Sequence, residues 1–225
     1  MKYLLLIILF LGGIGGWAIQ KSKAYKFLFF KPTNTAAVID GKYPLMIFLH
    51  GAGERGNDLE RVKKHGPPKL VEKNKDFEFY LISPQCPEKE RWDPRRVRAL
   101  IKKTVKKHPI DKSRIYLTGL SMGGFGTWST SIEYPDLFAA IVPICGGQKE
   151  DAQHVDLISH IPVWAFHGEK DKIVPEENTA TIIEALKKVN DQVTYTMYPG
   201  VYHDSWTQTY NNSELYSWLL SHRKK

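Results

Sequence analysis

An α/β architecture, a mostly parallel central sheet with helices on both faces, is what this sequence of 225 residues predicts. Three observations carry it. Short continuous apolar runs alternate with stretches of helical periodicity, the pattern of strands buried on both faces by crossover helices. A glycine-flanked turn, Gly119-Leu120-Ser121-Met122-Gly123, joins one such run to a helix-compatible stretch. Residues with chemistry to offer cluster just after the runs, where an open parallel sheet puts its functional groups. Hydrophobic residues make up 42 % of the chain and aromatics 12 %, enough for one sizeable core and against disorder.

The elements follow in order. Leu45-Met46-Ile47-Phe48-Leu49 reads as a buried parallel strand, and residues 77–82 as a second. Residues 93–108 carry Val97, Leu100, Ile101, Thr104 and Val105 near helical spacing, with Asp93 as N-cap and Pro94 at the first helical position. The run 114–118 leads into the glycine-flanked turn, and residues 124–130 continue it as a helix that ends near Tyr134-Pro135-Asp136. Strands follow at 139–144, 163–166 and 193–198, with a helix over 176–189 and a closing helix over 215–222. Residues 54–75 are the longest irregular stretch, and no insertion is long enough for a large lid domain.

The first 24 residues form a separate unit. Lys2 precedes an apolar run, Leu4-Leu5-Leu6-Ile7-Ile8-Leu9-Phe10-Leu11, which continues through Gly12-Gly13-Ile14-Gly15-Gly16-Trp17-Ala18-Ile19. This is a signal peptide with small residues before a cut after Ala18, or an N-terminal membrane anchor of marginal length. Either places residues 25–225 outside the cytoplasm, periplasmic or secreted. Cys86 and Cys145 each end an apolar run and read as small core hydrophobes, although export would permit a disulfide. Lys plus Arg number 32 against 24 Asp plus Glu, without a stripe or a nucleic-acid motif, so the charge reads as a solvated surface. No metal-ligand pattern occurs, and the N-terminal glycines precede no phosphate-binding unit.

A serine between strand and helix at such a tight turn is a strained, projecting hydroxyl. It becomes a nucleophile only with a base in reach and an acid to orient that base. In this arrangement the partners come later in the chain, acid first and histidine second. Asp171 follows the run ending at Phe166, and His203 follows the last strand. Ser121, Asp171 and His203 are therefore the expected nucleophile, orienting acid and general base. His167 and Glu169 are weaker alternatives, and Asp204 should point elsewhere. The oxyanion formed on attack needs two backbone N–H donors. Met122 supplies one. The loop His50-Gly51-Ala52-Gly53, after the strand at 45–49, supplies the other through Ala52, with Gly53 second, while His50 braces the loop.

Together the segments 49–58, 119–124, 167–175 and 199–206 resemble the α/β-hydrolase superfamily, in particular its small lid-less carboxylesterases related to phospholipase/carboxylesterase, feruloyl-esterase and predicted-peptidase groups. The resemblance covers residues 40–220. It implies a Ser-His-Asp triad, a two-amide oxyanion hole and no cofactor. The expected function is an exported serine carboxylesterase acting through an acyl-enzyme on short acyl or aryl esters, on small molecules or on polysaccharides. A peptidase or thioesterase on the same fold, and a silent binding module, are the alternatives. Glu54 and Arg55 either pair to fix the oxyanion loop, or Arg55 meets a substrate anion. Trp92, Trp128 and Trp206 are candidate aromatic walls.

Overall fold

In a computed structural model, residues 24–73 and 76–224 are described. The expected signal or anchor segment, up to residue 23, lies outside them. Seven strands form one sheet in the order β1-β3-β2-β4-β5-β6-β7. They are β1 (Lys26–Phe30), β2 (Tyr43–Leu49), β3 (Tyr80–Gln85), β4 (Ile110–Leu120), β5 (Ala140–Ile144), β6 (Val163–Gly168) and β7 (Val193–Tyr198). Only β1 runs antiparallel. Alternate side chains of β2 enter opposite cores: Leu45, Ile47 and Leu49 on one face, Met46 and Phe48 on the other. A strand buried on both sides has no polar face, which is why it reads as an unbroken apolar run.

The helices are α1 (Gly66–Leu70), α2 (Pro94–Lys107), α3 (Met122–Glu133), α4 (Glu176–Leu186), α5 (Trp206–Asn211) and α6 (Ser213–Ser221). Helix α2 starts as its sequence dictates: the Asp93 carboxylate accepts the Arg95 N–H at 2.9 Å, and Val97, Leu100, Ile101 and Thr104 are buried. The helical segment expected over 176–189 ends at Leu186.

The structure departs from the sequence reading at several points. Strand β1 was not expected; KFLFF is half exposed along an edge and lacks the continuous burial of the inner strands. The strand expected over 77–82 is displaced to Tyr80–Gln85, because Phe77 and Phe79 pack under α6 against Tyr216. Pro84 is tolerated there since pairing with β2 stops at Ile82, leaving only β1 alongside. The irregular stretch at 54–75 condenses into short 3-10 turns and α1, and α5 forms between His203 and α6.

Candidate active site

The turn after β4 is built by close backbone approach. Ser121 holds φ 51° and ψ −117°, a conformation that non-glycine residues seldom adopt, and its N–H donates to the Ile144 carbonyl at 2.9 Å. A Cβ on Gly123 would sit 1.9 Å from the Leu49 carbonyl oxygen. Glycine there lets the end of β2 press against the turn, and this contact brings the His50–Gly53 loop beside Ser121.

Asp171, after β6, and His203, after β7, meet at this point. His203 Nδ1 lies 2.6 Å from Asp171 Oδ2, and Nε2 lies 2.9 Å from Ser121 Oγ. A carboxylate only accepts, so Nδ1 carries the proton and Nε2 is left to accept the serine hydroxyl. The other carboxylate oxygen, Oδ1, accepts the N–H groups of Ile173 and Val174 at 2.8 and 3.0 Å. Burial pushes the Asp171 carboxyl up, but the bond from His203 and these two amides outweigh it and hold it below the ordinary carboxylate value.

His167 supports the acid from behind. Its Nε2 lies 2.9 Å from the Val174 carbonyl and 3.2 Å from Asp171 Oδ2, and its Nδ1 lies 2.9 Å from the Thr179 hydroxyl. Two acceptors at Nε2 fix the proton there. Burial pushes its pKa down, so the ring stays neutral and shapes the turn rather than competing for the serine. Asp204 is occupied at the start of α5 by the Thr207 N–H and hydroxyl.

Each carbonyl of the loop after β2 accepts a side-chain hydrogen bond. His50 Nδ1 donates to Gly51 O at 2.6 Å, Arg55 Nε to Ala52 O at 3.0 Å, Arg61 to Gly53 O at 2.7 Å and Gln85 to Glu54 O at 2.9 Å. His50 Nε2 accepts the Cys86 N–H at 3.0 Å, so its tautomer is fixed and it is neutral; burial lowers its pKa from 6.5 to about 4. Ala52 opens a 3-10 turn and Met122 opens α3, so both N–H groups lack an intrahelical acceptor. Held carbonyls and free amides are what a preformed oxyanion site requires.

The candidate contact residues separate. Trp128 is fully buried and its indole N–H donates to Gly146 O at 3.0 Å, which makes it a core residue with no surface left for a wall. Arg55 is spent on the loop, bonding Ala52 O and Glu90 O, and does not pair with Glu54, whose carboxylate turns inward to accept the Gly51 N–H at 3.1 Å. Trp92 is nearly buried and donates to His50 O at 3.1 Å, with one edge on a groove of about 160 Å³ that also borders Met122 and Phe125. Trp206 makes a T-shaped contact with His203, ring centroids 5.2 Å apart, and another with His65 at 5.5 Å. Arg61, Gln85 and His65 carry no motif and were not foreseen. Cys86 and Cys145 are buried and unpaired.

The dienelactone hydrolase family model matches residues 82–216. A thermostable esterase of known structure superposes with a TM-score of 0.75 at 35 % identity, over 88 % of this chain and 59 % of its own. A poly(3-hydroxyalkanoate) depolymerase from Paucimonas lemoignei is 55 % identical over 40 residues, 18 % of this chain and 10 % of its own length. A bifunctional acetylxylan esterase/xylanase from Neocallimastix patriciarum is 28 % identical over 133 residues, 56 % of this chain and 18 % of its own length. The chain spans under half the length of the curated relatives it matches.

Proposed function

Because the chain belongs to the dienelactone hydrolase family, we propose that it is a serine hydrolase of carboxylic esters, with Ser121 as nucleophile, His203 as base and Asp171 as orienting acid. The observation that carries this reading is the unbroken relay from Asp171 through His203 to Ser121 Oγ, at 2.6 and 2.9 Å. Ser121 Oγ attacks the ester carbonyl as its proton passes to His203 Nε2. The carbonyl oxygen becomes an oxyanion facing the Ala52 and Met122 N–H groups; one such donor is worth about 3 kcal/mol of barrier. Collapse breaks the ester C–O bond, and the His203 proton leaves with the alcohol. A water then gives its proton to Nε2, attacks the acyl-serine and releases the acid, restoring Ser121.

The lack of a large lid among the described residues and the groove of about 160 Å³ beside Met122 favour short acyl or aryl esters. The likeness to an acetylxylan esterase/xylanase favours esters carried on polysaccharides. The apolar N-terminal run favours an exported protein.

Incubation with an aryl phosphonate should give a single adduct on the peptide bearing Ser121. Ser121→Ala should remove the adduct and lower kcat/KM on a short aryl ester by on the order of 10⁴-fold or more. An unlabelled wild type, or an alanine variant of full activity, sinks the reading.

A further inference from the structure

We propose that the face carrying the triad rests against an anionic phospholipid bilayer, tethered by the apolar N-terminal run. Ile173 is 72 % exposed and Tyr202 60 %, the most exposed large hydrophobics among the described residues. Ile173 stands two residues after Asp171, and Tyr202 immediately precedes His203. Their loops form one ledge: the Lys170 N–H donates to Val201 O at 2.8 Å. Lys170 and Lys172, on the same ledge, are exposed and make no ion pair among the described residues. The neighbouring carboxylates accept neutral donors and keep their charge, Glu169 from the Gly200 N–H and Asp204 from Thr207, so the ledge itself is not net cationic. Apolar tips beside lysines suit the boundary of headgroup and acyl chain, where the long side chains reach the phosphates.

The path of the chain decides the orientation. Lys26 opens β1 opposite Gln85, the last residue of β3, so the chain enters at the carboxyl ends of the strands, beside the site. Tyr25 is pinned there: its hydroxyl accepts the Asp93 N–H at 2.9 Å and its ring meets Trp92 at 5.2 Å. Before it come the apolar run at 4–19 and then Lys21 and Lys23, cations next to the tether that favour an anionic surface. Residues 20–24, fully stretched, reach at most about 17 Å. Helix α2 starts at Tyr25 and leads to the opposite end of the sheet, and its 14 residues cover about 21 Å. The lysine-rimmed groove at that end, lined by Lys102, Lys106, Lys112 and Lys224, is therefore out of reach of a bilayer that holds the run. The triad is not: Ser121, Asp171 and His203 follow the carboxyl ends of β4, β6 and β7, the end of the sheet at which residue 25 enters, so one plane laid across that end meets both.

The placement stands on the geometry of the described residues and on the apolar run remaining attached. Its consequence, that the ester lies in the layer next to the headgroups, rests on the esterase reading. The test uses the full chain with an environment-sensitive fluorophore on Ile173→Cys or, as the comparison, Lys106→Cys; both native cysteines are buried. On vesicles of phosphatidylglycerol and phosphatidylcholine, emission at 173 should shift to the blue and brighten by about twofold or more, as for a probe entering the interface, with no change at 106. Vesicle-bound protein that responds at 106, equally at both sites, or at neither overturns the proposal. So does a response at 173 that follows protein concentration without lipid, which means a second copy, or one produced by soluble xylan. A chain recovered from cells without residues 1–18 removes the tether. Hydrolysis of a soluble aryl ester without vesicles reports on the esterase reading separately.

Discussion

Replacing Asp171 by Asn tests the relay with almost no change in shape. Oδ1 accepts two amide N–H groups, from Ile173 and Val174. Turning the new amide nitrogen toward them would strand both donors, at about 1–3 kcal/mol each. The variant therefore keeps its oxygen there and presents –NH₂ where Oδ2 stood, 2.6 Å from His203 Nδ1. Nδ1 must then accept, the imidazole proton moves to Nε2, and Nε2 donates to Ser121 Oγ instead of taking its proton. The serine loses its base while every heavy atom stays in place. The expected loss is about 10³–10⁴-fold in kcat, or about 4–5.5 kcal/mol, with KM nearly unchanged. Steady-state kinetics on a short aryl ester, with thermal unfolding to verify the fold, gives the answer. A variant that keeps more than about a tenth of kcat refutes the assigned tautomer and the role of Asp171 in catalysis.

Two further outcomes follow from the same contacts. His50 is held neutral with its pKa lowered from 6.5 to about 4, so the unfolded chain binds its proton first as the pH falls. Its contribution is complete above pH 6.5 and is lost progressively toward pH 4, up to about 3 kcal/mol; urea unfolding across this window should show the slope, and His50→Asn should flatten it. Trp128→Phe removes the donor to Gly146 O and should cost about 1–3 kcal/mol, lowering Tm by roughly 2–12 °C with KM unaltered. A raised KM at constant Tm would return Trp128 to the substrate wall.

The inner strands were legible because burial on both faces writes itself as consecutive apolar residues, and α2 because its cap and periodicity are local. β1 and the true start of β3 were not. An edge strand has one partner and mixed exposure, and the aromatics at 77 and 79 are apolar for a different reason, their packing on Tyr216. The tryptophans show the same limit. Composition marks all three as large and apolar, but only the packing sends Trp128 to the core, Trp92 to the oxyanion loop and Trp206 to the face of His203.

By itself the sequence determined the class of fold and the order in which a serine, an acid and a histidine follow strand ends, since strand burial and turn chemistry depend on near neighbours. Which oxygen faces which nitrogen was decided only by tertiary structure. Gly123 admitting the Leu49 carbonyl, Gln85 and Trp92 holding the Glu54 and His50 carbonyls, and residue 25 entering at the carboxyl ends of the strands all join positions far apart in the chain. No local pattern records such contacts, because each arises from the close packing of segments whose separation along the chain is arbitrary.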